Sequence, residues 1–92
     1  MIRHIVFWKF RPDADPEPFL QALSALPEQI DWIRGMHVAR SAAPNAAWDA
    51  ALEVDFDTLE DVARYRDDPL HKKVSALCKS IRTDRVSIDI PL

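Results

Sequence analysis

The amino-acid sequence predicts a single α+β domain over residues 1–92. Three observations carry that prediction. Residues 2–10, 48–56 and 85–90 alternate with the period of two that marks strands, and two stretches between them repeat apolar residues at helical spacing. Strand and helix patterns also interleave along the whole chain, leaving no tract for a linker, a repeat or a low-complexity segment. At 92 residues the chain is one domain long, and a core this small gains from burying a second face against a partner.

The first strand sets His4, Val6, Trp8 and Phe10 on one face and Arg3, Ile5, Phe7 and Lys9 on the other. Ile5 and Phe7 make the second face apolar too, so something is expected to cover it. Asp15 and Pro16 read as cap and first turn of a helix carrying Phe19, Leu20, Leu23 and Leu26, with Pro27 ending or breaking it. Gly35, the only glycine, suits a turn of unusual φ before a short strand at residues 36–40. Residues 41–47, with Pro44 and Asn45, read as a surface loop. The next strand sets Trp48, Ala50, Leu52, Val54 and Phe56 on one face. Asp57 and Glu60 form a capping-box pattern for a helix through about Arg66. Asp68-Pro69 restarts the chain as cap and first helical residue, with Leu70, Val74, Leu77 and Ile81 as the buried stripe. The last strand sets Val86, Ile88 and Ile90 opposite Arg85, Ser87 and Asp89. The order β-α-β-β-α-α-β is the ferredoxin-like split βαβ, an antiparallel sheet with its helices on one face.

Composition narrows the function classes. Apolar residues make up 48% of the chain, as in a packed domain, and the net charge is −3. The twelve Lys and Arg are scattered, not gathered into the basic stripe that nucleic acid requires. No run approaches the length of a membrane span, and the polar residues in the opening strand argue against a signal peptide. The single cysteine, Cys78, fits a reducing cytoplasm and reads as a small buried hydrophobe. Neither a phosphate loop nor a dinucleotide fingerprint is present, so no cofactor is expected.

Three segments resemble the Dabb family, the stress-responsive dimeric α/β-barrel proteins. They are the opening strand at residues 2–10 with His4 near its start, the stretch at residues 63–71 with Tyr65, Pro69 and His71 around a helix break, and the closing strand at residues 85–89 ending in Asp89. The resemblance runs in order through nearly the whole chain, and the Tyr-Pro-His stretch is its most specific part. It implies a dimeric α+β barrel, in which two ferredoxin-like subunits press their sheets together. That homodimer supplies the missing cover for Ile5, Phe7, Val86 and Ile88.

The resemblance also implies a pocket between sheet and helices. Dabb-like plant polyketide cyclases use a His as general base and a Tyr to orient the substrate carbonyl, and by motif match these are His71 and Tyr65. His4, Val6, Trp8, Leu52, Val54, Phe56 and Asp89 are the candidate surroundings. The chemistry is reasonable: neutral imidazole accepts a proton near neutral pH, Asp89 can fix a tautomer, and a phenol can donate to a developing enolate oxygen. A purely structural role competes, since helix-start histidines and buried tyrosines often serve capping and packing alone. His4, His71 and Asp89 are suitable metal ligands by type, but they lack ligand spacing, and no metal is expected. His37 is assigned to the surface or an interface, and Trp32 and Trp48 to core or interface.

Two functions follow from different classes. One is a Dabb-type dimer with a stress-related role that binds a small apolar or aromatic ligand. The other is a cofactor-free enzyme, polyketide-cyclase-like, a lyase or a small monooxygenase. A pocket plugged by Trp8, Phe19 and Phe56 favours a dimer without catalysis, and an open apolar pocket ending at Tyr65 and His71 favours the enzyme.

Overall fold

In a computed structural model covering residues 1–92, four antiparallel strands form one sheet in the order β2-β3-β1-β4. Strand β1 spans Ile2–Phe10, β2 Gly35–Arg40, β3 Ala50–Phe56 and β4 Arg82–Pro91. Helix α1 (Glu17–Ser24), a 3₁₀ turn (Leu26–Glu28), helix α2 (Leu59–Asp67) and helix α3 (Pro69–Ile81) connect them. This is the ferredoxin-like order expected from the sequence, and the sheet is open rather than closed into a barrel.

Strand β1 is an inner strand, paired with β3 on one side and β4 on the other. Its alternation therefore sorts the whole molecule into two faces. His4, Val6, Trp8 and Phe10 are buried, and the helices cover them. Strand β3 adds Ala50, Leu52, Val54 and Phe56 to the same layer, and α1, the 3₁₀ turn, α2 and α3 close it with Phe19, Leu23, Leu26, Val62, Tyr65 and Val74. On the other face, Ile5 pairs with Ile88 and Phe7 with Val86. There Ile88 is 57% exposed, Val86 46% and Phe7 39%. One face is a finished core and the other is an apolar sheet surface open to solvent.

Several local expectations shift. Asp57 is not the cap of α2. Thr58 takes that place, its hydroxyl accepting from the Asp61 N–H at 3.2 Å, while Asp57 pairs with Arg34 at 2.9 Å. Trp48 does not share the face of Leu52. Regular pairing of β3 begins only at Ala50, and the Trp48 ring turns to the open face, 6.2 Å from the Phe7 ring and beneath the Lys9 ammonium. Gly35 has no positive φ and opens β2; the left-handed residue is Asn45, in the loop before β3. The stripe of α3 is also rotated. Val74 and Cys78 are its buried residues, while Leu77 is 44% exposed. At about 100° per residue, moving the inner face toward Cys78 also brings His71 and Ser75 inward.

The junction between α2 and α3 is built as expected. Asp68 is extended, its carboxylate accepts from the Leu70 N–H at 2.8 Å, and Pro69 opens the helix without wasting a donor. Asp68→Ala should therefore cost about 1 kcal/mol in chemical denaturation, the usual value of a side-chain cap. An unchanged midpoint would remove Asp68 from that role.

Candidate functional site

Between the sheet and helices α1 and α3 lies a cavity of about 240 Å³. Its sheet wall is His4, Val6, Trp8 and Leu52, and its helix wall includes Phe19, Leu23, Tyr65, His71 and Val74. Lys79, Arg82 and Arg85 also line it. Trp8 and Phe19 meet edge to face with centroids 5.1 Å apart, so these two aromatics form a wall and leave the space beside them open.

The polar groups of this cavity are few and specific. His4 is 2% exposed, and its Nδ1 lies 2.6 Å from Asp89 Oδ1. The two residues are direct neighbours in the β1–β4 register, which is why a side chain on an inner strand can meet one on an edge strand. Burial holds the His4 pKa below its ordinary value of 6.5, outweighing the opposing pull of Asp89, whose other oxygen is 3.5 Å from Arg66. The imidazole is then neutral, Nδ1–H donates to the carboxylate, and Nε2 is left as an acceptor.

His71 sits in the first turn of α3, with Nδ1 3.3 Å from the Arg66 carbonyl, to which it donates. Burial lowers its pKa as well, against the raising effect of that hydrogen bond. Its ring packs on Tyr65 with centroids 4.3 Å apart. Tyr65 is 1% exposed, and burial pushes its phenol well above the usual value, so it remains a donor at any ordinary pH. Neither the Tyr65 hydroxyl nor the Trp8 indole N–H has a hydrogen-bond partner. Two orphaned donors on residues lining one small cavity are an uncommon expense in a native core.

Of the residues singled out from sequence, the cavity gathers His4, Val6, Trp8, Leu52, Tyr65 and His71, with Asp89 attached through His4. Val54 and Phe56 are fully buried beneath α2 and do not line it. Val74, Cys78, Arg82 and Arg85 went unrecognised as cavity residues. Arg85 had a signal, because alternation already placed it on the face of Asp89. Burial pushes the Cys78 thiol up, against the lowering influence of Arg82 and Arg85, which suits packing better than nucleophilic work. No group of three or more His, Cys, Asp or Glu side chains is placed to hold a metal ion. No helix is long and apolar enough to cross a membrane. A second hollow, of about 310 Å³, lies on the open face among Phe7, His37, Trp48 and Glu53, away from the paired histidine.

The model of the Dabb stress-responsive A/B barrel domain matches residues 2–92. The chain belongs to the Dabb family. Among solved structures, this Dabb chain is similar to a dimeric ferredoxin-like protein of unknown function from Bacteroides fragilis NCTC 9343, at 31% identity and a TM-score of 0.89, over 99% of this chain and 95% of that one. A dimeric ferredoxin-like protein of unknown function from Thermobifida fusca YX is 26% identical with a TM-score of 0.87, over 99% and 90% of the two chains. The hydroxynitrile lyase of Passiflora edulis shares the fold at 14% identity and a TM-score of 0.87, over 99% and 92%. No curated protein matches the sequence.

Two desolvated histidines, His4 buried and His71 half-buried, make stability depend on pH. Both have folded pKa values below the unfolded 6.5, so the unfolded Dabb chain binds more protons as the medium is acidified. Their contribution is present above about pH 6.5 and is lost as the pH falls through the folded values. The urea midpoint should drop between about pH 7.5 and about pH 5.5, above the carboxylate range, and the drop should shrink in His4→Gln. Equal pH dependence in the variant and the parent would mean that His4 is not buried in its neutral form.

Proposed function

We propose that this Dabb chain works as a homodimer whose sheet–helix cavity binds a small, mostly apolar or aromatic molecule bearing an oxygen acceptor. The observation that carries the reading is the pair of orphaned donors, the Tyr65 hydroxyl and the Trp8 indole N–H, on residues that wall a cavity otherwise lined largely by apolar side chains. A ligand oxygen would satisfy what the folded chain leaves unmade, and the aromatic walls would take its apolar body. Tyr65→Phe tests this. Binding of acetophenone, followed by calorimetry, should weaken about tenfold, while the melting temperature holds or rises because an unsatisfied buried hydroxyl is gone. Unchanged binding with a lower melting temperature would assign Tyr65 to structure.

A second reading, acid–base catalysis on a carbonyl compound, is favoured by the His4–Asp89 pair. The sequence pattern pointed to His71 as base. The carboxylate partner favours His4, because Asp89 fixes the tautomer and stabilises the imidazolium that forms on proton uptake. In this reading a proton leaves the carbon α to the carbonyl for His4 Nε2, the Tyr65 O–H donates to the enolate oxygen, and His71 packs against Tyr65 to hold it. Exchange of the α-protons of acetophenone in heavy water, followed by NMR, would report this step without knowledge of the natural substrate. His4→Asn should lower protein-dependent exchange by roughly a hundredfold. Exchange no faster than in buffer would leave the binding reading alone.

The dimer rests on the open face and on the described state of the Bacteroides and Thermobifida proteins. Ile5, Phe7, Val86 and Ile88 form a continuous apolar patch of the kind that marks an interaction site. Ile88→Asp places a charge at its centre and should yield monomers or unfolded chain in sedimentation, because an unpaired charge is costly to bury. A folded Ile88→Asp dimer would move the interface elsewhere.

A further inference from the structure

The cationic side chains of the cavity pair with no carboxylate of the chain. Six of the eight arginines are engaged. Arg3, Arg11, Arg34, Arg40 and Arg66 pair with carboxylates, and Arg64 lies over the Trp32 ring. The two left over are Arg82 and Arg85, and both line the sheet–helix cavity together with Lys79. The chain has fifteen acidic residues against twelve basic ones, so partners are not scarce, and the unpaired arginines are concentrated at one place. Arg85 stands opposite Trp8 in the strand register, on the helix side of the sheet, and its own hydrogen bond is a long one of 3.4 Å to the Ser87 hydroxyl. The nearby charges make matters worse for it. Arg85 is exposed at the cavity rim, and partial desolvation against the wall, then the like charges of Arg82 and Arg66, hold its pKa below the usual guanidinium value.

Resting on the reading of this cavity as a ligand site, we propose that its ligand is an anion: a carboxylate on a small apolar or aromatic body, with the carboxylate received by Arg85 and Arg82 and the body lying against Trp8, Phe19 and Val74. A guanidinium recognises a carboxylate through two parallel charge-assisted hydrogen bonds. The buried orphaned donors Tyr65 O–H and Trp8 N–H supply an independent sign that the same cavity expects acceptor oxygens. A ligand of this kind answers both deficits, the unpaired cations and the unmade hydrogen bonds.

The test uses the intact protein and matched probes in calorimetry: benzoate and phenylacetate against benzamide and phenylacetamide, which have similar shapes without the charge. The acids should bind at least about tenfold more tightly than their amides, and the preference should weaken as salt is raised. In Arg85→Gln, and more fully in the Arg82→Gln, Arg85→Gln double variant, the preference should fall to within about twofold, because the acids lose far more affinity than the amides, with the fold verified by circular dichroism. Acids and amides binding equally well would overturn the anionic ligand and leave the apolar cavity reading standing. No binding of either class at millimolar concentration would overturn both. A change in oligomeric state in Arg85→Gln with benzoate affinity unchanged would assign the arginines to a second copy of the chain and overturn the proposal.

Discussion

The short hydrogen bond between His4 and Asp89 is the contact on which the rest of the structure turns. It ties the inner strand β1 to the edge strand β4 from inside the helix layer, and it fixes their register. A slip of one residue would flip every side chain of β4. Asp89 would move to the open face, leaving His4 buried without a partner, and Val86 and Ile88 would turn toward the helices, leaving Ile5 and Phe7 without apolar neighbours. The polar pair on one face and the apolar pairs on the other are therefore two statements of one alignment.

That alignment separates two kinds of work. The open face carries the apolar patch of Ile5, Phe7, Val86 and Ile88, bordered by the Arg3–Asp55 pair, and is the proposed seat of a second sheet. The covered face is interrupted, because α3 presents His71, Val74 and Cys78 to the sheet at a point where Trp8 and Phe19 stand edge to face and leave room. The cavity is a consequence of how α3 begins. Pro69 ends the run of α2, Asp68 caps the new helix, and the first turn after the break carries His71 against Tyr65. The same junction that stabilises the helix also delivers two polar rings to the cavity wall.

Much of this was legible in the sequence, for definable reasons. Period-two alternation in β1 and β4 gave the faces of His4, Asp89, Ile5 and Ile88, because a strand permits only two directions. The Asp-Pro junction gave the start of α3, because few residue pairs cap and open a helix so well. The Tyr-Pro-His stretch led to the family and to two cavity residues. Less legible were features set by tertiary contact. Arg34 claims Asp57, so the α2 cap moves to Thr58. Pairing stops before Trp48, so its ring escapes the alternation. The stripe of α3 turns toward Cys78, because His71 and Ser75 also face inward. Val54 and Phe56 share a strand face with Leu52, but that face extends beyond the cavity, and alternation says nothing about where along a strand a cavity stops.

The central claim is that a neutral imidazole, held by Asp89, turns a free nitrogen toward the sheet–helix cavity. The measurement that tests it most directly is the nitrogen-15 chemical shift and long-range proton coupling pattern of the His4 ring at about pH 7, which identifies tautomer and charge. The account predicts a neutral ring with the proton on Nδ1 and an unprotonated Nε2. A doubly protonated imidazolium, or a neutral ring with its proton on Nε2, would contradict it.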